Sequence, residues 1–460
     1  MKQAEKKKLG LLDIFGLGVG GTIGSGIFVM LGSGIGYTGR SIVLALCIAS
    51  VYILFAYLYH PIMASMFVMP GGDYDMRAML LGPTMTGFSA LVTLLNGFGM
   101  ASFGMAFSSY FVSVFTSLEP YQNLIAAALM LVFFGMSLGG TKMMSSVTTV
   151  ITFVLLASIA MFVIVGVPQV KPGFWSNEDG LFWANGAQGF ISAIAIMAFA
   201  CQGTTQPPVS VMATTKKARR TIPLGILLIT ITVGIVYALM GYVASGVLPV
   251  EQVMGQNLSL VAGEIFTPTL FKVFILGAAC CAIMSSLCAG IVMQRYPLLA
   301  VAEDGWLPKV FKRTTKNGYP YMVMGLLLAF SILPLFTDLT IDTLISLVMI
   351  PTMAINAYMN ISLIKLVKDY PEQWKNATLH MPTPVFNVVC VASAACALAV
   401  AYYLFKDMNT TSMILCVVVI AAMIILSQIS LRTGSVKKED LLAKREEIAA
   451  AAIAATAAED

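Results

Sequence analysis

The feature that most constrains this chain is a succession of long apolar runs separated by short polar breaks. The hydrocarbon core of a bilayer is crossed by about 20 mostly apolar helical residues. Twelve stretches reach that length: 11–38, 41–69, 84–118, 121–139, 142–167, 186–213, 223–247, 267–302, 319–337, 341–365, 385–405 and 409–431. Only 11% of the 460 residues are charged and 58% are hydrophobic, with a mean hydropathy of +0.87. A water-soluble domain carries roughly 25% charged residues. The expected fold class is therefore an all-α membrane protein of twelve transmembrane helices.

The basic residues orient those spans. With the amino terminus inside, cytoplasmic segments hold 22 Lys and Arg, including Lys2, Lys6, Lys7, Lys8, Arg77, Lys142, the 216–220 and 309–316 clusters and five from Arg432 onward. Outer loops hold only Arg40, Lys171 and Lys406. That asymmetry predicts both termini in the cytoplasm of a cell-membrane protein. The run after Lys8 is long and Gly-rich without a small-residue cleavage site, so it reads as an uncleaved first helix. The tail beyond Ser435 is expected to be a cytoplasmic helix or disordered.

Two spans carry signs of broken helix. The first contains Gly16, Gly18, Gly20, Gly21, Gly24 and Gly26, and each Gly costs about 1 kcal/mol against Ala inside a helix. Close packing through Gly20-xxx-Gly24 explains part of the cluster; Gly24-Ser25-Gly26 at mid-depth predicts unwound backbone. The sixth span is expected to break around Phe199-Ala200-Cys201-Gln202-Gly203, with Pro207-Pro208 just beyond. Irregular backbone at membrane depth is tolerated only where it is buried in protein or lines a cavity. Breaks at matching places in two halves point to a transporter's binding site.

Inside the spans, away from their ends at Asp13 and Asp342, ionisable side chains reduce to His60, Lys272 and Arg295. No midplane carboxylate marks a proton relay or cation site. Such a site suits a zwitterion, with its carboxylate on freed N–H groups at a helix amino terminus and its ammonium on freed carbonyls. His60-Pro61 reads as a helix kink with a packed or hydrogen-bonded imidazole. The eight cysteines form no metal or disulfide pattern and read as small core residues. Gly16-x-Gly18-x-x-Gly21 lacks the βαβ setting of a dinucleotide site, and Gly135-x-Ser137-x-Gly139 lacks the strand-turn-helix of a hydrolase elbow. No acid, base or metal constellation supports an enzyme.

These motifs resemble the amino acid–polyamine–organocation superfamily. The likeness lies in Gly20-Gly21-Thr22-Ile23-Gly24-Ser25-Gly26-Ile27-Phe28, in Met69-Pro70-Gly71-Gly72-Asp73-Tyr74 with Arg77, Gly82 and Pro83, in Arg219-Arg220-Thr221-Ile222-Pro223, and in Ala302-Glu303-Asp304-Gly305-Trp306-Leu307-Pro308. It implies a leucine-transporter-like fold. Residues 11–365 would form a five-plus-five inverted repeat with helices 1 and 6 broken, and 366–431 two peripheral helices. Residues 1–10 and 432–460 would be cytoplasmic ends.

By position, the substrate carboxylate would meet amides of Gly24, Ser25 and Gly26. Its amine would meet carbonyls of Ile23, Phe199, Ala200 and Gln202, with Phe199 a gate and Cys201 and Gly203 beside it. The usual Gly after the aromatic is replaced by Cys201. Acidic residues common in relatives after the sixth-helix break are absent from 202–208, so a standard substrate is not implied. The fifth-span Lys that fills a sodium site in sodium-independent relatives is also missing between Thr148 and Leu156. Ala282, Ser285 and Ser286 at i, i+3, i+4 share one helix face. With carbonyls of Gly20 and Ile23 they would form a sodium site; the alternative is that they simply help helices pack.

The expected function is secondary active transport of neutral amino acids, with sodium as coupling ion. Exchange or proton coupling is the alternative within the class; a nutrient sensor or channel on the same fold is the alternative outside it. No other cofactor is expected, and the partners are the small-molecule substrate and the lipid bilayer, not nucleic acid. Oligomeric state is left open.

Overall fold

The computed structural model describes residues 9–138, 141–316 and 318–459, with side chains omitted for 141–150 and 152. The lysines at 2, 6, 7 and 8 and the side chain of Lys142 lie outside what is described, as does part of the 148–156 stretch. The described residues form helices and turns; the one β-contact is an isolated bridge between Leu9 and Thr215.

In chain order the helices are α1 Leu11–Thr22, α2 Ser25–Thr38, α3 Ile42–Ala56, α4 Tyr59–Met66, α5 Asp73–Leu80, α6 Pro83–Val92, α7 Asn96–Val114, α8 Gln122–Ser137, α9 Thr141–Gly166, α10 Gly186–Cys201 and α11 Gln206–Ser210. Then come α12 Ala218–Gly246, α13 Val250–Val253, α14 Ser259–Ile265, α15 Pro268–Phe274, α16 Cys281–Glu303, α17 Tyr321–Ile332, α18 Ile341–Asp369, α19 Pro371–Lys375, α20 Thr383–Lys406, α21 Thr410–Arg432 and α22 Lys438–Ala457. Among the described residues, nine helical stretches are long and apolar enough to cross a membrane. Leu11–Thr22, Phe153–Gln169 and Tyr321–Phe336 are shorter apolar helices. Each of the twelve apolar segments read from the sequence falls on helix.

The helix junctions follow local chemistry. Pro61 has no N–H to offer the carbonyl four residues back, and the chain turns at Tyr57–Leu58 between α3 and α4. Asn360 of α18 stitches that gap: its Oδ1 accepts from the Tyr59 N–H at 3.2 Å, and its Nδ2 donates to Ala56 O at 3.1 Å and to Phe55 O at 3.3 Å. Between α15 and α16 the helix passes through a π-turn, Ile275–Cys280.

Small residues let the central helices approach. A Cβ on Gly18 would lie 2.1 Å from Ile229 Cδ1 of α12, and one on Gly21 would lie 3.1 Å from Pro207 Cγ. The packing reading of the first-span glycines thus holds for these two. α10 packs against α2 and α3, and α12 against α1 and α3, so both interrupted helices sit at the centre. Around them stand α16, α18 and α7, with α20 and α21 more peripheral and exposing apolar side chains such as Val388, Leu398, Ile414 and Ile425.

One end of the bundle carries α5 and α22. There the Thr456 hydroxyl accepts from the Val68 N–H at 2.9 Å, and Lys444 Nζ donates to Asp304 Oδ1 and Tyr74 OH, both at 2.7 Å. Glu459 accepts from the Ala218 N–H and lies 3.7 Å from Arg219. The tail is an ordered helix lying across three loops.

Candidate functional site

Two helix interruptions meet in the centre. α1 ends at Thr22 and α2 begins at Ser25, leaving Ile23 and Gly24 outside helix. The break is tighter than the sequence suggests: Ser25 and Gly26 form the first turn of α2. Their amides are nevertheless among those a helix amino terminus leaves without intrahelical partners. The Ser25 N–H donates to Ser286 Oγ of α16 at 2.9 Å.

The second break lies a few residues later than expected. Phe199, Ala200 and Cys201 are the last residues of α10; Gln202–Thr204 form a 3-10 turn before α11. Pro207 and Pro208 explain the shift. Neither can donate to the carbonyl four residues earlier, which frees Gly203 and Thr204 rather than Phe199.

The two breaks are in direct contact. A Cβ on Gly26 would lie 2.5 Å from Ala200 Cα, and one on Gly203 would lie 2.9 Å from Thr22 Cα. Tyr237 of α12, fully buried, joins them: its hydroxyl is 2.8 Å from Thr22 O and 3.3 Å from Ala200 O. The sequence reading missed this residue. Its signal was a phenol in an apolar helix, since a buried Tyr hydroxyl usually finds a partner.

Two of the five oxygens expected to hold sodium lie beside the first break. A Cβ on Gly24 would lie 2.4 Å from Ser286 Oγ and 3.8 Å from Ala282 O. Ser285 is buried on α16 beside them, Ile23 is buried in the break, and Gly20 lies one turn earlier in α1.

A cavity of about 750 Å³ opens beside the second break. It runs from Phe199, Gln202 and Phe103 in the centre to Tyr74, Asp304 and Trp306 at the α5 end. The Phe103 and Phe199 rings meet at a tilt of 45° with centroids 6.1 Å apart. The cavity wall includes Phe199 and Gln202 but not residues 23–26, which pack against α10 instead of facing it across open space.

The wall also holds a polar chain. Tyr57 OH donates to Gln202 Oε1 at 3.2 Å. His60, fully buried, is 2.9 Å from Thr205 Oγ1 through Nδ1 and 2.8 Å from Asp73 Oδ1 through Nε2. Arg77 Nε donates to Asp73 Oδ2 at 2.8 Å, and Tyr59 OH donates to Asp73 Oδ1 at 2.8 Å. Burial opposes the charge on Asp73, but Arg77 and the hydrogen bonds from His60 and Tyr59 outweigh it and hold the carboxyl well below the usual carboxylate range. An ionised Asp73 only accepts, so Nε2 carries the hydrogen of that bond. The expected hydrogen-bonded imidazole at the kink is what the structure contains. Lys272 is exposed, and Arg295 lies over the rings of Tyr296 and Tyr319 at 5.4 and 5.1 Å.

None of the eight cysteines forms a disulfide; five are buried, while Cys47 is exposed on α3. Among the described residues there is no group of three or more His, Cys, Asp or Glu placed to hold a metal ion.

Residues 9–433 match the family model described as "Amino acid permease". The branched-chain amino acid permease of Bacillus subtilis is 25% identical over 394 residues, covering 80% of this chain and 82% of that protein. A methylthioribose transporter of the same organism is 23% identical over 406 residues, covering 83% and 86%. The vacuolar cationic amino acid transporter 8 of Arabidopsis thaliana is 25% identical over 378 residues, covering 78% of this chain and 62% of that one.

Proposed function

The chain belongs to the amino acid permease family, and from that premise we propose that this multi-pass membrane protein is a secondary transporter of neutral amino acids working by alternating access. In this reading ten of twelve spans form two inverted repeats and the last two are peripheral, both termini lie in the cytoplasm, and the α5 end faces inward. The observation that carries the reading is the pair of touching breaks bridged by Tyr237. Two interrupted helices supply the Gly26 amide at the amino-terminal end of α2 for a carboxylate and carbonyls near Ile23 and Ala200 for an ammonium, without a charged side chain. The 750 Å³ cavity ending at Phe199 is then the inner release path, and Phe199 its gate.

Sodium is the coupling ion in this proposal, held by carbonyls of Gly20, Ile23 and Ala282 with hydroxyls of Ser285 and Ser286. A hydroxyl has two lone pairs, so Ser286 accepts from the Ser25 N–H and keeps one for an ion. Ion and substrate then stabilise the same arrangement, and each raises the other's affinity by the same factor. The test is uptake of a panel of neutral and cationic amino acids into proteoliposomes, in sodium against choline at matched pH, for the unmodified chain and Ser285→Ala. Saturable uptake of neutral amino acids that falls in choline is expected. Sodium-indifferent uptake replaces coupling with exchange or proton symport. Uptake restricted to cationic amino acids overturns the substrate assignment, and no saturable uptake leaves a sensor or channel.

A further inference from the structure

A second cavity, of about 200 Å³, lies between α2, α10, α18 and α20. It is at the far end of the bundle from α5: its residues on α18 begin at Thr340, whereas Asn360, beside the His60 network, is 18 residues along from Asp342, about 27 Å at 1.5 Å per residue. Two carboxylates line it, Asp342 and Asp407. Neither forms an ion pair among the described residues. Lys406, next in the chain to Asp407, has its ammonium 5.9 Å from the centre of the Tyr403 ring. Asp342 Oδ1 accepts one hydrogen bond, from Ser33 at 3.0 Å.

The hydroxyls around these carboxylates supply a second, independent observation. Ser192 and Ser346 line the cavity at 2% and 4% exposure, and neither hydroxyl has a hydrogen-bond partner among the described residues. Both residues are otherwise buried, so their hydroxyls depend on water or a ligand in the cavity for a partner. Asp342 is half-buried while Asp407 is exposed, so a cation is drawn most strongly to Asp342, the carboxylate further from bulk water.

The size of the space selects the cation. A hard metal ion such as calcium draws its oxygens to within about 2.3–2.6 Å. A space of 200 Å³, against about 30 Å³ for one water, is too roomy for a bare ion. An ammonium head on a short carbon stem fills it better, and its three N–H donors match a carboxylate and two waiting hydroxyls. We propose that this cavity binds the primary ammonium group of an organic cation or zwitterion, with Asp342 and Asp407 as counter-ions and Ser192 and Ser346 as acceptors.

The cavity also lies on a route to the centre. Ser33 is eight residues along α2 from Ser25, about 12 Å, and Ile196 in its wall is three residues before Phe199. An arriving ammonium displaces the Ser33 hydroxyl from Asp342 and loosens the link between α2 and α18. This onward route rests on the transport reading; the binding does not.

The test measures binding directly. Thermal stabilisation of the purified full chain is followed against methylammonium, L-lysine, tetramethylammonium and sodium at constant ionic strength, with proteoliposome uptake in parallel. Methylammonium and lysine are expected to stabilise saturably, whereas tetramethylammonium, which has the charge but no N–H, does not. Asp342→Asn should weaken the apparent methylammonium affinity about tenfold or more, the scale of a hydrogen bond to a charged group. Asp407→Asn and Ser346→Ala should weaken it by less, and they decide the matter if Asp342→Asn does not fold. Stabilisation by tetramethylammonium or sodium equal to that by methylammonium overturns the ammonium assignment. So does methylammonium binding unchanged in all three variants, or no saturable effect. Binding with this dependence but no uptake rejects the transport reading and keeps the site; uptake without it does the reverse.

Discussion

Replacing Gly24 by Ala tests the contact between the first break and α16. The new Cβ would sit 2.4 Å from Ser286 Oγ, about 1 Å inside ordinary van der Waals contact, while Ala282 O at 3.8 Å leaves room. The obstacle is one rotatable hydroxyl, so the relief is for Ser286 to turn away and drop the Ser25 N–H. Leaving that amide unsatisfied costs about 1–3 kcal/mol, and residual overpacking adds to it. Ser286→Ala alone loses the same hydrogen bond without the overlap. In Gly24→Ala/Ser286→Ala the overlap is gone and the bond is lost only once. The double variant should therefore be no less stable than Gly24→Ala, with a coupling of about 1–3 kcal/mol in the thermodynamic cycle. Chemical or thermal unfolding of the four proteins in one detergent gives the numbers. Gly26→Ala is the contrast, because its Cβ would strike the Ala200 backbone at 2.5 Å, which no side-chain change relieves. Gly16→Ala, with nothing within 4 Å, should be neutral or stabilising. Strictly additive losses for Gly24→Ala and Ser286→Ala would refute the contact.

Tyr237→Phe keeps the ring and removes the bridge, so a loss of about 1–3 kcal/mol is expected, with weakened stabilisation by any amino acid that binds the unmodified protein; thermal melts with and without that ligand check both. Lys444→Ala removes the link from α22 to Asp304 and Tyr74. Being partly exposed, it should cost under about 1 kcal/mol, whereas deleting 437–459 should cost clearly more by the same unfolding assay, since Ala449, Ala452 and Thr456 are buried. Asp179 is held at about 2, chiefly by its hydrogen bonds from Arg40. A depressed carboxyl stabilises the fold above its unfolded value near 3.9 and loses that contribution as pH falls toward 2. Asp179→Asn should flatten that part of the acid-melting curve.

The parts of the fold that rest on local chemistry were readable. Apolar length gave the helices, and Gly24 gave the first break, because both depend on neighbours a few residues away. The second break was misplaced although Pro207 and Pro208 encode it: counting four residues back from each proline leads to Gly203 and Thr204. The bridges were not readable. Tyr237 meets Thr22 across 215 positions, and Asn360 meets Tyr59 across 301. A single sequence marks such residues only as polar groups in apolar helices. His60 lay between the two cases, since Asp73 is 13 positions away but Thr205 is 145.

The π-turn at Ile275–Cys280 has a consequence for how this membrane helix tolerates change. An α-helix rotates by about 100° per residue, and a π-turn is in effect one residue inserted into that progression. The wide turn absorbs that residue, so the two segments it joins keep the rotational phase of a helix one residue shorter. On one side Phe274 stacks on Phe162 at 4.9 Å and meets Phe266 and Phe28 at 5.4 and 6.2 Å. On the other, Ala282 and Ser286 face the Gly24 break. Removing any one residue between 275 and 280 would take the extra residue out and restore regular helix with the two sets still in phase, so the aromatic stack and the oxygen face could both keep their partners. A deletion elsewhere in α16, with no wide turn to absorb it, would instead swing the residues on its two sides through about 100° relative to each other.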